Sequence, residues 1–210
     1  MTKQKYNEFR VKEMIIIITI IISFLFGSIP TGYLITKKIC GIDIRTKGSG
    51  NIGSTNVKRI VGTKISIITQ TIDVLKGIIP VVLGIYLSRI IKLPVSTNTY
   101  LSIIAIATIL GHDYTPFLRF KGGKGVNTTL GVFILIAPIP TLTGLAVYFI
   151  LRLFISIVSI RSISIGITIL IMCIITKQLN SVVIAAALAC ILMIFRHKDN
   201  LIRIIRKEEK

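Results

Sequence analysis

The sequence predicts an all-α fold: one polytopic bundle of membrane-spanning helices, seven of them with five as the alternative, N-terminus out and C-terminus in. Three observations carry this. The 210 residues are 52% hydrophobic, and the mean hydropathy is +0.82. Met14 to Thr36, Val126 to Leu151, Ser162 to Thr176 and Gln178 to Phe195 hold no charge at all, and a helix crossing a bilayer needs roughly 20 such residues. Lys and Arg are also shared unevenly among the connections, which orients the spans.

The elements follow in chain order. Residues 1–13 read as a polar tail and 14–210 as a single membrane-embedded domain. The first helix covers about 14–35; it is too long for a cleavable signal and lacks a small-residue cleavage site. A charged, Gly-rich connection occupies 36–63. The second helix covers about 64–87, and a short connection with Arg89 and Lys92 follows. The third covers about 97–112, before a second charged, Gly-rich connection at 113–125. Pro138 and Pro140 interrupt the next apolar run. Proline cannot continue a regular helix, so that run is read as two short helices packed within the bundle. Two further runs and a charged tail, Arg196 to Lys210, complete the chain.

Lys37, Lys38, Arg45, Lys47, Lys58 and Arg59 crowd the first long connection. That connection, 113–125 and the C-terminal tail therefore read as cytoplasmic. The tail ahead of the first helix dissents, with Lys3, Lys5, Arg10 and Lys12 against Glu8 and Glu13, but the larger charge difference lies across the second helix. Keeping the C-terminus inside requires the proline-split run to count as two spans, giving seven, or, for five, Lys177 to Asn180 to lie inside a single long helix.

The formal net charge is +18. In a membrane protein this implies affinity for anionic lipid, and it also suits an anionic substrate. A nucleic-acid partner is not expected, because no soluble aromatic-interleaved module presents the charge. Cys40, Cys173 and Cys190 are scattered, without C-x-x-C or a Cys/His cluster, so neither a disulfide framework nor a metal is expected. No cofactor and no obligatory protein partner are expected either.

Three segments carry candidate chemistry. "KGSGNIGSTNVKR", residues 47–59, fits G-x-G-x-x-G through Gly48, Gly50 and Gly53. A dinucleotide fingerprint needs a βαβ unit, and none can be drawn after "CGIDIRTK". The underlying physics remains: Gly48 and Gly50 let backbone amides approach an anion. Ser49, Asn51, Ser54, Thr55 and Asn56 add neutral donors, and Lys58 and Arg59 add charge. In "GHDYTPFLRFKGGKGVNTTLG", residues 111–131, Lys121 and Lys124 flank Gly122 and Gly123, ahead of a helix start that favours phosphate. The plainer readings are a simple turn for the first segment and a positive-inside loop for the second. In "FRHKDNLIRIIRKEEK", His197 and Asn200 stand three apart, neighbours if the segment is helical. Arg203, Arg206 and Lys207 fit an interfacial amphipathic helix. Within the second helix, Asp73 and Lys76 stand one turn apart, and an ion pair there would support Lys76. Only eight residues are Asp or Glu, and there is no G-x-S-x-G elbow. Binding of phosphate-bearing substrates, with electrostatics doing the chemistry, is the expectation.

"GSIPTGYLI", "GIDIR", "GSGNIGSTNVKR", "DVLKG", "FKGGKGV" and "RHKDNLIR" together resemble the acyl-phosphate-dependent glycerol-3-phosphate acyltransferases of bacteria, the PlsY family. The likeness runs from about residue 24 to 209. It implies a seven-helix enzyme of the bacterial cell membrane with its three motifs on the cytoplasmic side. It implies transfer of a fatty acyl group from acyl phosphate to the sn-1 hydroxyl of glycerol 3-phosphate, giving lysophosphatidic acid and phosphate, the first acylation of phospholipid synthesis. Neither acyl-CoA nor acyl-carrier protein is used directly. The resemblance points to Ser49, Asn51, Asn56 and Arg59 in the first motif, Lys124 in the second, and His197 and Asn200 in the third. Ser54, Asn127, Lys207 and a proline one place late in "GHDYTPF" depart from its pattern.

The expected catalytic set is Ser49, Arg59, Lys124 and His197. Gly48, Gly50, Asn51, Asn56, Gly122, Gly123 and Asn200 are expected to bind substrate, with Asp73 and Lys76 in support. A rival reading is a transporter or exchanger of phosphorylated solutes, although no inverted repeat of broken helices is evident. A thioester-dependent acyltransferase would show H-x-x-x-x-D, but Phe117 and Ile202 occupy the fifth places after His112 and His197.

Overall fold

The apolar runs form helices that cross at close range, because glycines let their backbones touch. The computed structural model describes residues 3–209. Its α-helices are α1 (Lys3–Gly27), α2 (Thr31–Cys40), α3 (Ser54–Val61), α4 (Thr63–Ile90), α5 (Thr97–Asp113), α6 (Val126–Ile136), α7 (Pro138–Leu151), α8 (Val158–Ile175), α9 (Asn180–Arg196) and α10 (Lys198–Ile205). The all-helical membrane bundle is thus borne out. Four stretches are long and apolar enough to cross a membrane: Tyr6–Cys40, Thr63–Ile90, Thr97–Leu118 and Val158–Ile175. A fifth is added if α9 and α10, bent by 52°, count as one.

Two glycine contacts fix the frame. A Cβ on Gly27 would lie 2.1 Å from the Thr108 carbonyl oxygen, and one on Gly111 would lie 2.1 Å from that of Phe24. Hence α1 and α5 cross backbone to backbone. Gly77 and Gly131 do the same for α4 and α6, where a Cβ on Gly131 would meet the Val74 carbonyl at 2.1 Å. Small residues at such crossings are what dispersion-driven packing in lipid requires. The main core lies between them and includes Tyr100, Ile104, Phe133, Ile165 and Ile169. Large apolar side chains such as Ile21, Leu83, Ile174 and Ile191 stay exposed on the outside, as a lipid-facing surface requires.

Some expected boundaries are corrected. The helix read over 14–35 is two: α1 ends at Gly27 and α2 begins at Thr31. Pro30 lacks an N–H, and at the break the Ile29 carbonyl accepts from the Thr31 amide and from Lys76 Nζ, both at 2.9 Å. The described part of the polar tail, residues 3–13, is the start of α1. Residues 36–63 are not one loop, since α3 lies within them. The break at Pro138 is where the sequence places it, between α6 and α7.

Candidate active site

All three charged segments meet at one end of the bundle, around a cleft of about 580 Å³. Ser49, Arg59, Lys124 and His197 all line it, as do Asn51, Asn56, Asn200 and Asp73. Gly48, Gly50, Gly122, Gly123 and Lys76 lie outside its lining.

The first segment is shaped from within. Gly48 and Gly50 have φ of 57° and 70°, a region that glycine enters without a Cβ clash. Their turn wraps Asn56, which is 3% exposed. The Asn56 Oδ1 accepts from the Ser49 amide at 3.0 Å. Its Nδ2 donates to the carbonyls of Lys47 at 3.0 Å and Asn51 at 2.9 Å. Asn56 therefore spends its side chain on the loop and sets the height of exposed Ser49. Asn51 accepts from the Gly53 amide at 2.8 Å, and its Nδ2 reaches the Gly122 carbonyl at 3.4 Å. That contact ties the first segment to the second. Arg59 projects from α3, exposed at the rim.

The second segment is clamped from two sides. Arg196 at the end of α9 donates through Nε to the Gly123 carbonyl at 2.9 Å and through Nη2 to the Gly122 carbonyl at 3.0 Å. Its guanidinium lies 4.9 Å from the Tyr114 ring centroid. Below, a Cβ on Gly123 would fall 1.9 Å from Nε2 of His112, so only glycine lets the loop rest on that imidazole. Lys124 is thereby held half-buried, donating to Oδ1 of Asn200. Burial, more than the neighbouring charges, pulls its ammonium down to about 8.

The third segment closes the cleft. His197 ends α9 and caps α10, three positions ahead of Asn200 in that helix. The bend buries both. The His197 Nδ1 lies 2.8 Å from the Met193 carbonyl. A carbonyl only accepts, so Nδ1 carries the proton, and in the neutral ring Nε2 keeps its lone pair. Asn200 donates to Glu209, whose other oxygen accepts from Arg203 Nε at 2.6 Å. Burial opposes ionisation of Glu209, but the bonds from Arg203 and Asn200 prevail and lower its carboxyl. Beneath the cleft, Asp73 and Lys76 form the expected pair at 3.0 Å, both 3% exposed in their side chains.

The sequence reading did not single out Ser159, Arg161, Ser162 or Glu209, which also line the cleft. The available signal was Arg161, a lone charge at the head of an apolar run. Among the described residues no cluster of His, Cys, Asp and Glu could hold a metal.

A family model described as glycerol-3-phosphate acyltransferase matches residues 17–207. A glycerol-3-phosphate acyltransferase of Clostridium acetobutylicum is 65% identical over 197 residues, covering 94% of this chain and 100% of the relative. One of Geotalea daltonii is 41% identical, covering 90% and 93%. Among solved structures, PlsY (YgiH), an integral membrane glycerol 3-phosphate acyltransferase, in its glycerol 3-phosphate form superposes with a TM-score of 0.84 at 33% identity, covering 93% of this chain and 94% of the other. Its lysophosphatidic acid form gives 0.82 at 32% identity over the same shares. Membership of an enzyme family sets aside the solute-exchanger reading. A buried lysine, a histidine with a free Nε2 and a glycine-turned loop on one cleft, with these matches, lead to one conclusion: this chain belongs to the PlsY family of membrane glycerol-3-phosphate acyltransferases.

Proposed function

We propose that the enzyme takes its acyl group from acyl phosphate and transfers it to the sn-1 hydroxyl of glycerol 3-phosphate, releasing lysophosphatidic acid and inorganic phosphate at the cytoplasmic face of a bacterial membrane. One observation carries the reading: Ser49, Lys124 and His197, from segments far apart in sequence, line a single cleft. That cleft supplies cations and neutral donors, and among the described residues no serine–histidine pair is bonded in it. A donor that is already an activated anhydride needs no acyl-enzyme.

In the reaction the sn-1 oxygen bonds to the acyl carbon and the bond from that carbon to the phosphate oxygen breaks. The hydroxyl proton ends on the departing phosphate, either directly or by way of Nε2 of His197. The central difficulty is charge. Two unit charges 4 Å apart repel by about 4 kcal/mol at an effective dielectric near 20, so two dianions repel by roughly 16. Lys124 and Arg59 screen that repulsion. Ser49 and the amides of its loop hold the acyl phosphate, and His197 and Asn200 orient glycerol 3-phosphate. The glycines at 122 and 123 serve by letting the loop down onto His112, which presents Lys124. The chain is read as seven spans, with α6 and α7 as a short pair, N-terminus out and C-terminus in.

The test is turnover by purified protein given glycerol 3-phosphate and either acyl phosphate, acyl-CoA or acyl-carrier protein. Lysophosphatidate from acyl phosphate alone is expected. Equal or faster product from a thioester with no acyl phosphate present would overturn the donor assignment.

A further inference from the structure

Arg161, in the first turn of α8, has a charge that its protein neighbours leave unbalanced. It is 7% exposed. Its Nη2 donates to the Ser156 carbonyl at 3.1 Å, and the guanidinium lies 5.2 Å from the Tyr148 ring centroid. Its Nε is shut off from solvent and has no hydrogen-bond partner among the described residues. The ion pairs among the described residues join Asp43, Asp73 or Glu209 to other cations, and none includes Arg161. A buried, unpaired charge is costly unless an anion reaches it.

Ser159 repeats the pattern two residues earlier. It is 3% exposed and its Oγ has no partner among the described residues either. Among the described residues no side chain caps the start of α8, an 18-residue helix, whose first amides have no intrahelical partner and whose dipole favours an anion there. Arg161 and Ser159 both line the cleft, beside apolar Leu145, Phe149 and Ile165. Cation, hydroxyl and spare amides against an apolar wall suit the phosphoryl group of a substrate. Lys124, on its loop ahead of α6, is a separate cation in the same cleft.

We propose that Arg161, with Ser159 and the uncapped start of α8, is a phosphoryl-holding subsite of the cleft, distinct from the Lys124–Asn200 pair. This rests on the reading that two phosphorylated substrates share the cleft. It gives each phosphoryl group its own cation, and Arg161 positions one of the two. The shared chemistry is a phosphoryl oxygen, and the kinetics distinguish whether acyl phosphate or glycerol 3-phosphate supplies it.

The experiment compares wild type with Arg161→Gln, Arg161→Lys and Ser159→Ala in detergent. KM is measured for each substrate separately, and stabilisation by inorganic phosphate is read as a thermal shift. Loss of a charge-assisted bond raises the KM of one phosphorylated substrate by about tenfold or more. The expectation is that rise in Arg161→Gln with a smaller change in kcat, partial recovery in Arg161→Lys, and a weaker phosphate shift. The substrate whose KM moves names the occupant. Unchanged KM for both substrates together with an undiminished phosphate shift would overturn the subsite, even if melting temperature fell. If Arg161→Gln does not fold, Ser159→Ala decides, because it leaves the Ser156 and Tyr148 contacts intact. A wild type that rejects acyl phosphate counts against the donor assignment alone, and the phosphate shift then still judges Arg161.

Discussion

Lys124 shows how one residue can be made sensitive to its surroundings. Burial works against its charge and brings the ammonium down to about 8. It is therefore cationic below that pH and neutral above it. Since the role proposed for the cation is to screen two phosphates, kcat/KM should fall as pH rises through about 8. In saturating substrate the bound dianions favour the charged form, so the fall in kcat should lie at higher pH. Lys124→Arg, which keeps its charge throughout, should move the fall upward even if its longer head lowers activity. A profile flat to pH 10 in wild type would exclude the screening role. His197 poses a different question, because its Nδ1 is committed to Met193 and only Nε2 can meet substrate. His197→Asn can keep the bond to Met193 while removing Nε2. A general base contributes roughly 10²–10⁴-fold, so a loss of that size assigns the proton to Nε2. A loss below tenfold leaves the proton to the departing phosphate.

At the scale of elements, the apolar lengths read directly from sequence because each lipid-facing run must satisfy its own backbone. What did not read was the break at Pro30. Pro138 stands at a helix boundary and Pro30 between two helices, yet Pro80 lies inside α4 without ending it. At Pro30 the Ile29 carbonyl also accepts from Lys76, 47 positions away, a partner that local pattern does not reveal. The same applies to α3: its eight residues are polar on average, and they hold their place through Asn51, Ser66 and the core around Ile44 and Val57. The motif residues were legible because Gly, Asn, Lys and His stand out in an Ile-rich chain. Arg161 and Ser159 were not, because they open an apolar run and reach the cleft only once α7 and α8 pair. The α4–α6 crossing offers a direct test of glycine as spacer. In Gly131→Ala the new methyl would meet the Val74 carbonyl, which is backbone and cannot turn aside. Overpacking of this kind costs about 1–3 kcal/mol, and roughly 2–4 °C is lost per kcal/mol in a chain of this size. A drop of several degrees in the melting temperature in detergent is expected. An unchanged value would mean that the crossing is looser than described.

Across the whole molecule, the cleft fixes which helix ends share a side. Residues from the starts of α4, α6 and α8 and from the ends of α5, α7 and α9 line or adjoin it. The end of α1 reaches the same side, since Gly27 packs on Thr108 and the Ser28 carbonyl accepts from Thr115 at 2.6 Å. The chain therefore arrives at the cleft through α1, leaves by α4, returns by α5, and leaves and returns again through α8 and α9. The start of α1 and the end of α9 then lie at opposite ends of the bundle, whether five or seven crossings are counted. The difference rests on α6 and α7. At 1.5 Å per residue their 11 and 14 residues reach only about 16 and 21 Å, short of a hydrocarbon core of roughly 30 Å. They cross fully only if the bilayer thins around them, at a cost of fractions of a kcal/mol per Å. Ile139 at the tip of this pair, 62% exposed, reports which holds. Single cysteines at Arg10, Lys92, Ile139 and Lys198 would be placed in a chain with Cys40 replaced, since Cys173 and Cys190 are buried. With an impermeant maleimide on intact cells, Arg10→Cys and Lys92→Cys should label, and Lys198→Cys should label only after permeabilisation. Ile139→Cys should label with the first pair if seven spans are formed. Labelling at Lys198→Cys in intact cells would invert the orientation, and silence at Ile139→Cys in both conditions would leave the α6–α7 tip within the bilayer and the span count at five.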